Sequence, residues 1–147
     1  MENKKYTHAL NTLLASYQVH YQNLRSLHWN VKGQGFFELH LKYEELYTRA
    51  QEVIDELAER ILSIGATPLS QFKEYLNTSS IAENPIIHKG ALGVEYILKA
   101  QEDLLQQEKQ LLEVSGTEND EGTNALMSDL IREKEKTNWM FKSWLQH

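Results

Sequence analysis

Four amphipathic runs, separated by a short, a long and a short break, leave this 147-residue chain few ways to fold. From Tyr6 to Val31, apolar residues including Leu10, Leu13, Tyr17, Leu24 and Leu27 recur at steps of three and four, which lines one face of a helix. Gly33 and Gly35 bracket a short break. A second helix is expected from about Phe36 to Ile64, with Leu39, Tyr43, Leu46, Ala50, Val53, Leu57 and Ile61 on its stripe. Gly65 and then Pro68 end it. Helical spacing returns from Ala91 to Val114, although Gly93 blurs its start, and again from Glu121 to Leu145 beyond the turn SGTENDEG. The stripe of the last helix runs through Leu126, Leu130, Ile131, Phe141 and Trp144.

The breaks decide the topology. Short first and third links make two antiparallel hairpins. The middle segment, Ala66 to His88, holds both prolines, a Ser/Thr/Asn cluster and a short helical pattern in LSQFKEYL. At about 20 residues it is long enough to cross the bundle, so the third long helix can run parallel to the second. The expected fold is all-α: a four-helix bundle with one long crossover carrying a short extra helix, one domain over residues 1–147. That arrangement is ferritin-like. No strand pattern competes with it.

Composition removes several function classes. There are no cysteines, so disulfides and thiolate metal sites are excluded and His, Asp and Glu remain as strong ligands. No apolar run approaches the roughly 20 residues of a membrane span. The start, MENKKYTHALN, lacks a signal peptide's apolar core, and a cytoplasmic location is the expectation. A formal net charge of −6, with only Lys4 and Lys5 as a basic cluster, speaks against general nucleic-acid binding.

The second helix carries the chemistry. His40 and Glu44 are four apart, as are Asp55 and Glu59, and residues four apart share a helix face. With His40 set at zero and 100° per residue, Glu44 falls at about 40°, Asp55 at about 60° and Glu59 at about 100°, beside an apolar stripe centred near 270°. His40 and Asp55 are nevertheless about 22 Å apart along the helix axis, so one copy cannot close a site. Two copies of this helix packed antiparallel about a twofold axis near Arg49 and Ala50 can. His40 and Glu44 of one chain then face Asp55 and Glu59 of the other, twice per dimer. His28, across the short break, can complete the His40 half. Glu-x-x-His, the motif of an internal di-iron bundle site, is absent. Imidazole with carboxylate suits Fe(II), Mn(II) or Zn(II).

Each part has a plainer reading. His/Glu pairs on helix faces are common, and carboxylates four apart usually face solvent. The row Glu38, Glu45, Glu52 and Glu56, at roughly 120–160° on the same wheel, reads as a solvated face or, within a closed shell, an acidic lining. Trp29 reads first as a core or interface aromatic. His8, His20, His88 and His147 lack convergent partners and read as structural or surface residues.

LHWNVKG, FFELH, YEELY and IDELAERILSIGATP together closely resemble the Dps family, the DNA-binding proteins from starved cells or mini-ferritins. FKEYL in the crossover and the closing EKTNWMFKSWL extend the resemblance over nearly the whole chain. It implies ferritin-like subunits assembled as a dodecamer, a hollow shell built from twofold dimers. It further implies ferroxidase activity: Fe(II) is oxidised, preferably with hydrogen peroxide, at a two-iron centre between subunits and stored as ferric mineral, which protects against oxidative damage. The family's ligands map onto His28, His40 and Glu44 of one chain and Asp55 and Glu59 of its partner. Trp29 takes the place of a radical-quenching electron donor, and Glu121 and Asp129 are expected along an iron-entry pore. Two departures stand out. Glu44 occupies a position that is commonly Asp, and no lysine-rich tail is present. A dodecamer would carry about −72 formal charge, which repels DNA, so DNA binding is expected to be weak or absent. The alternative is a nucleoid-associated protein that protects DNA by physical coverage.

Overall fold

The computed structural model describes residues 5–146; Lys4 of the basic N-terminal pair and His147 lie outside them. The elements are α1 (Thr7–Asn30), α2 (Phe36–Ser63), α3 (Phe72–Thr78), α4 (Gly90–Thr117) and α5 (Glu121–Leu145), with no strand among the described residues. Helix α1 packs along α2 and α4 along α5, the two expected hairpins. At one end, the starts of α2 and α4 lie together under the C-terminal part of α5: a Cβ on Gly90 would meet Leu39 and Trp144. At the other end, Arg60 near the close of α2 bonds Asp120 and Thr123 at the start of α5. Helices α2 and α4 therefore run parallel, as the long crossover requires.

Local chemistry sets the boundaries. Gly33, Gly35 and Gly65 adopt φ of 84°, 84° and 89°, the left-handed region that glycine enters at low cost, so α1 stops and α2 both starts and stops where the sequence allows a sharp turn. The short crossover helix begins at Phe72, three residues later than the LSQFKEYL pattern suggests. Gln71 and Glu74 form a capping box there, and residues before it stay extended around Pro68. Helix α4 starts at Gly90 and passes through Gly93 without a break. Gly93 is needed for packing: a Cβ there would stand 2.5 Å from the Tyr43 hydroxyl. Asp120 caps α5 by accepting from the Thr123 N–H, at 3.2 Å. Burial alone would raise Asp120, but hydrogen bonds from Tyr6 and Thr123 and the Arg60 charge hold it down at about 2.

All four long helices supply the core, through residues such as Leu13, Leu57, Ile97 and Leu130. The α5 stripe differs from expectation. Ile131 is only partly buried, and the inward line is Thr123, Met127, Leu130, Lys134, Asn138 and Phe141. Lys134 reaches Glu108 of α4 at 3.0 Å, and the Tyr17 hydroxyl donates to the same Glu108 oxygen at 2.7 Å. Burial pushes the Glu108 carboxyl up and the Lys134 ammonium down, each opposed by the other's charge. His20 is also buried rather than superficial, its Nδ1 2.9 Å from the Tyr96 hydroxyl.

Candidate metal centre

The C-terminal turn of α1 builds the first half of the site. A helix leaves its last carbonyls without intrahelical donors. Val31 N–H closes the final turn on the Leu27 carbonyl at 3.0 Å, but Lys32 N–H turns away to the His88 carbonyl at 2.9 Å. The His28 carbonyl is thereby released, and His40 Nδ1 lies 2.8 Å from it. In return, His28 Nδ1 lies 2.6 Å from the His40 carbonyl. A carbonyl oxygen only accepts, so each Nδ1 carries the proton and donates it, which leaves Nε2 as the ring nitrogen open to a ligand. This is how a protein fixes the tautomer and orientation of metal-binding imidazoles. His88 completes the same helix end by donating from Nδ1 to the Asn30 carbonyl at 2.7 Å. It has a structural partner that sequence alone did not reveal.

Packing fixes the two imidazoles further. Their rings stack with centroids 3.8 Å apart and planes 13° apart. Phe36 stacks on His40 at 5.0 Å, and Tyr47 stands edge-on to His28 at 5.3 Å. His28 is buried and His40 half-buried.

The carboxylates stand apart from this. Glu44, Asp55 and Glu59 are exposed on α2, and none of their carboxylates has a hydrogen bond or ion pair among the described residues. Their neighbours in the acidic row are tied down: Glu45 to Lys42 at 3.3 Å, and Glu52 and Glu56 to Arg49 at 3.1 and 3.5 Å. Arg49 also grips Glu133 of α5 with two bonds of 2.9 Å. Three of the four carboxylates in the row are therefore paired, and Glu38 alone has no ion pair among the described residues. Among the described residues of the single chain, no three His, Asp or Glu side chains come together as a metal site. The structure unites His28 with His40 and leaves Asp55 and Glu59 remote from them. Trp29 is 58% exposed. Glu121 and Asp129 are exposed near the start of α5, Asp129 paired with Arg132 at 2.9 Å.

The surroundings of the carboxylates are unusual for a solvated face. Phe37, Leu41 and Leu62 are 84%, 57% and 58% exposed on the same helix. On the 100° wheel they fall at about 60°, 100° and 40°, the arc of Glu44, Asp55 and Glu59.

A four-helix bundle with one long crossover, bearing inward-locked imidazoles and a carboxylate arc on its second helix, defines a ferritin-like protein, and residues 7–147 match the ferritin family, described as a ferritin-like domain. The chain belongs to the Dps family. A Dps structure from Vibrio cholerae O1, described as a member of a broad superfamily of ferritin-like diiron-carboxylate proteins, superposes with a TM-score of 0.94 at 49% identity, covering 96% of this chain and 89% of that one. Dps from Staphylococcus aureus superposes at 0.93 with 34% identity, covering 99% and 98%. DNA protection during starvation protein 2 of Bacillus anthracis is 41% identical over 143 residues, 97% of this chain and 98% of that protein. No helix among the described residues is long and apolar enough to cross a membrane.

Proposed function

We propose that this protein stores iron and detoxifies it, oxidising Fe(II), preferably with hydrogen peroxide, and keeping the ferric product inside a hollow dodecameric shell. The observation that carries this reading is the reciprocal bonding of His28 and His40, which commits both Nδ1 atoms to carbonyls and leaves both Nε2 atoms as ligands. The reaction centre lies between twofold-related subunits. Asp55 and Glu59 of one chain, with His28 of the other, hold the tighter Fe(II), while His40 and Glu44 help hold a second, more labile one. Imidazole and carboxylate together fit iron as the substrate. Two Fe(II) each give one electron to one hydrogen peroxide, whose O–O bond breaks and which takes up two protons to leave two waters. The chain's own part is to hold two ions near one oxidant, so that the electrons pass as a pair and hydroxyl radical is not released. Exposed Phe37, Leu41 and Leu62 beside the carboxylates support a partner helix covering this arc.

The test follows absorbance of ferric product after anaerobic Fe(II) loading and peroxide addition, in wild type and in Asp55→Ala/Glu59→Ala. A large loss of rate in the variant is expected, and equal rates would show that iron is oxidised elsewhere. The net charge of −6 per chain supports weak or absent DNA binding. Strong, salt-sensitive retention of DNA by the iron-free shell in a gel shift would replace this part of the reading with protection by coverage.

A further inference from the structure

Three electron-rich rings lie around the histidine pair, and they are not equivalent. Tyr47 stands edge-on to His28, with centroids 5.3 Å apart and planes at 81°. Tyr21 in turn stands edge-on to Tyr47, at 6.1 Å and 75°. Trp29 follows His28 directly in the chain. The Arg25 guanidinium lies over two of these rings, 5.2 Å from the Tyr21 centroid and 5.1 Å from the Trp29 centroid. Among the described residues no carboxylate pairs with Arg25, so its charge acts on the rings undivided. No cation lies over Tyr47 among these residues.

A cation over an aromatic face is attracted to the ring's electrons. Withdrawing one of those electrons weakens that attraction, and in an indole that keeps its proton it becomes repulsion between two positive charges at contact distance, where the Coulomb term is largest. Trp29 and Tyr21 are thus made harder to oxidise by the same side chain. Tyr47 carries no such cation and is the one of the three in ring contact with a candidate iron ligand. We propose that Tyr47, rather than Trp29, is the first protein electron donor to the iron site when that site holds a single Fe(II). This rests on the iron-oxidising reading above and departs from what family resemblance implies for Trp29.

The step balances without a further reagent. One Fe(II) gives one electron to hydrogen peroxide, which splits into hydroxide and a hydroxyl-radical equivalent. Tyr47 supplies the second electron and a proton: its O–H bond breaks, water forms, and a neutral tyrosyl radical remains. A second Fe(II) reaching the site then returns an electron to the radical, which takes up a proton to restore Tyr47. The overall stoichiometry stays at two Fe(II) per peroxide, and the intermediate oxidising equivalent is kept off DNA and lipid. Tyr47 acts here through its neighbour His28, as a one-electron store and not as an iron ligand.

Freeze-quench electron paramagnetic resonance of the assembled protein, loaded with one Fe(II) per site and mixed with hydrogen peroxide, reads the outcome directly. Wild type is expected to give a tyrosyl signal whose hyperfine structure collapses when tyrosine is ring-deuterated. That signal should be lost in Tyr47→Phe and kept in Trp29→Phe and Tyr21→Phe. Arg25→Leu should move a share of the radical to tryptophan. The optical spectrum of bound Co(II) checks that Tyr47→Phe has not disturbed the two imidazoles. A signal that survives Tyr47→Phe and vanishes in Trp29→Phe overturns the assignment, as does wild type that oxidises iron with no protein radical. An unchanged radical in Arg25→Leu overturns the role given to Arg25. Wild type that oxidises no Fe(II) with peroxide, even at two ions per site, would sink the functional reading and this inference together.

Discussion

Replacing Lys134 by Met tests how much the bundle depends on one buried charge pair. Glu108 is 0% exposed, and among the described residues its partners are Lys134 at 3.0 Å and the Tyr17 hydroxyl at 2.7 Å, both on one oxygen. The other oxygen, Oε1, has no hydrogen-bond partner among the described residues. Methionine fills much of the lysine's volume, so the perturbation is chiefly electrostatic. It leaves a buried carboxylate with a single hydroxyl donor, and uncompensated charges of this kind cost about 3–5 kcal/mol. For a chain of this size that corresponds to a melting temperature lower by roughly 10 °C. The sign of the pH dependence is a second check. Burial already raises Glu108, and losing the ammonium that opposes this raises it further. A carboxyl raised in the folded state takes up a proton more readily there than when unfolded. The deficit of Lys134→Met therefore shrinks as pH falls from 8 toward the ordinary carboxylate range. Thermal unfolding followed by circular dichroism, at fixed protein concentration because assembly couples to stability, measures both effects. Adding Glu108→Gln should recover most of the loss. A loss below about 1 kcal/mol at pH 8, or one independent of pH, would refute the claim that this pair is a desolvated unit.

Two other substitutions probe different levels of the structure. Burial, with the Lys134 ammonium adding to it, pulls His20 down to about 3 from an ordinary 6.5. The unfolded chain binds this proton more tightly, so stability is full above the ordinary value and is lost as pH falls from there toward 3. The loss reaches about 2 kcal/mol at pH 5, and His20→Gln should flatten that slope in denaturant titrations. Glu44→Ala should abolish the weaker of two Fe(II) equivalents in anaerobic calorimetry and leave the tighter one in place. Loss of both would make Glu44 a support of the whole site and not a ligand of its labile half.

What the sequence makes legible depends on whether a feature has a period. The helices, the hairpins and the parallel run of α2 and α4 follow from stripe spacing and link length alone. The Asp55–Glu59 pair and the single arc are helix arithmetic, equally available before any coordinates. Lys134 and Glu108 were hidden because each is a single charge within an apolar stripe, where pattern counting passes over it. The signal was there, since Lys134 follows Leu130 by four and Glu108 follows Leu104 by four. The histidine pair was half legible. His28 and His40 were visible as ligand types, but their hold on each other runs through backbone carbonyls, and any residue can supply those. The release of the His28 carbonyl depends on Lys32 bonding His88, a contact across 56 residues that no local rule foresees.

The exposed apolar residues on α2 allow the proposed dimer to be tested without touching a ligand. An antiparallel pairing about an axis between Arg49 and Ala50 sets His40 opposite the partner's Glu59 and Glu44 opposite the partner's Asp55. The same operation sets Phe37 opposite the partner's Leu62, and a twofold axis makes that contact twice. Both side chains are more than half exposed in the single chain, where nothing in the bundle requires them to be apolar. Covering them removes hydrocarbon from water at both ends of the shared helix pair, with each end next to one set of ligands. Leu62→Arg would place a cation against Phe37 and near the partner's His40, blocking the pairing while retaining all five donors and the fold of each bundle. Sedimentation velocity should show smaller species, and peroxide-driven Fe(II) oxidation should fall with the dimer population. Raising the protein concentration should restore both in parallel. If Leu62→Arg dissociated and yet oxidised iron at the wild-type rate, the centre would have to be complete within one chain, and the division of ligands between two copies would be wrong.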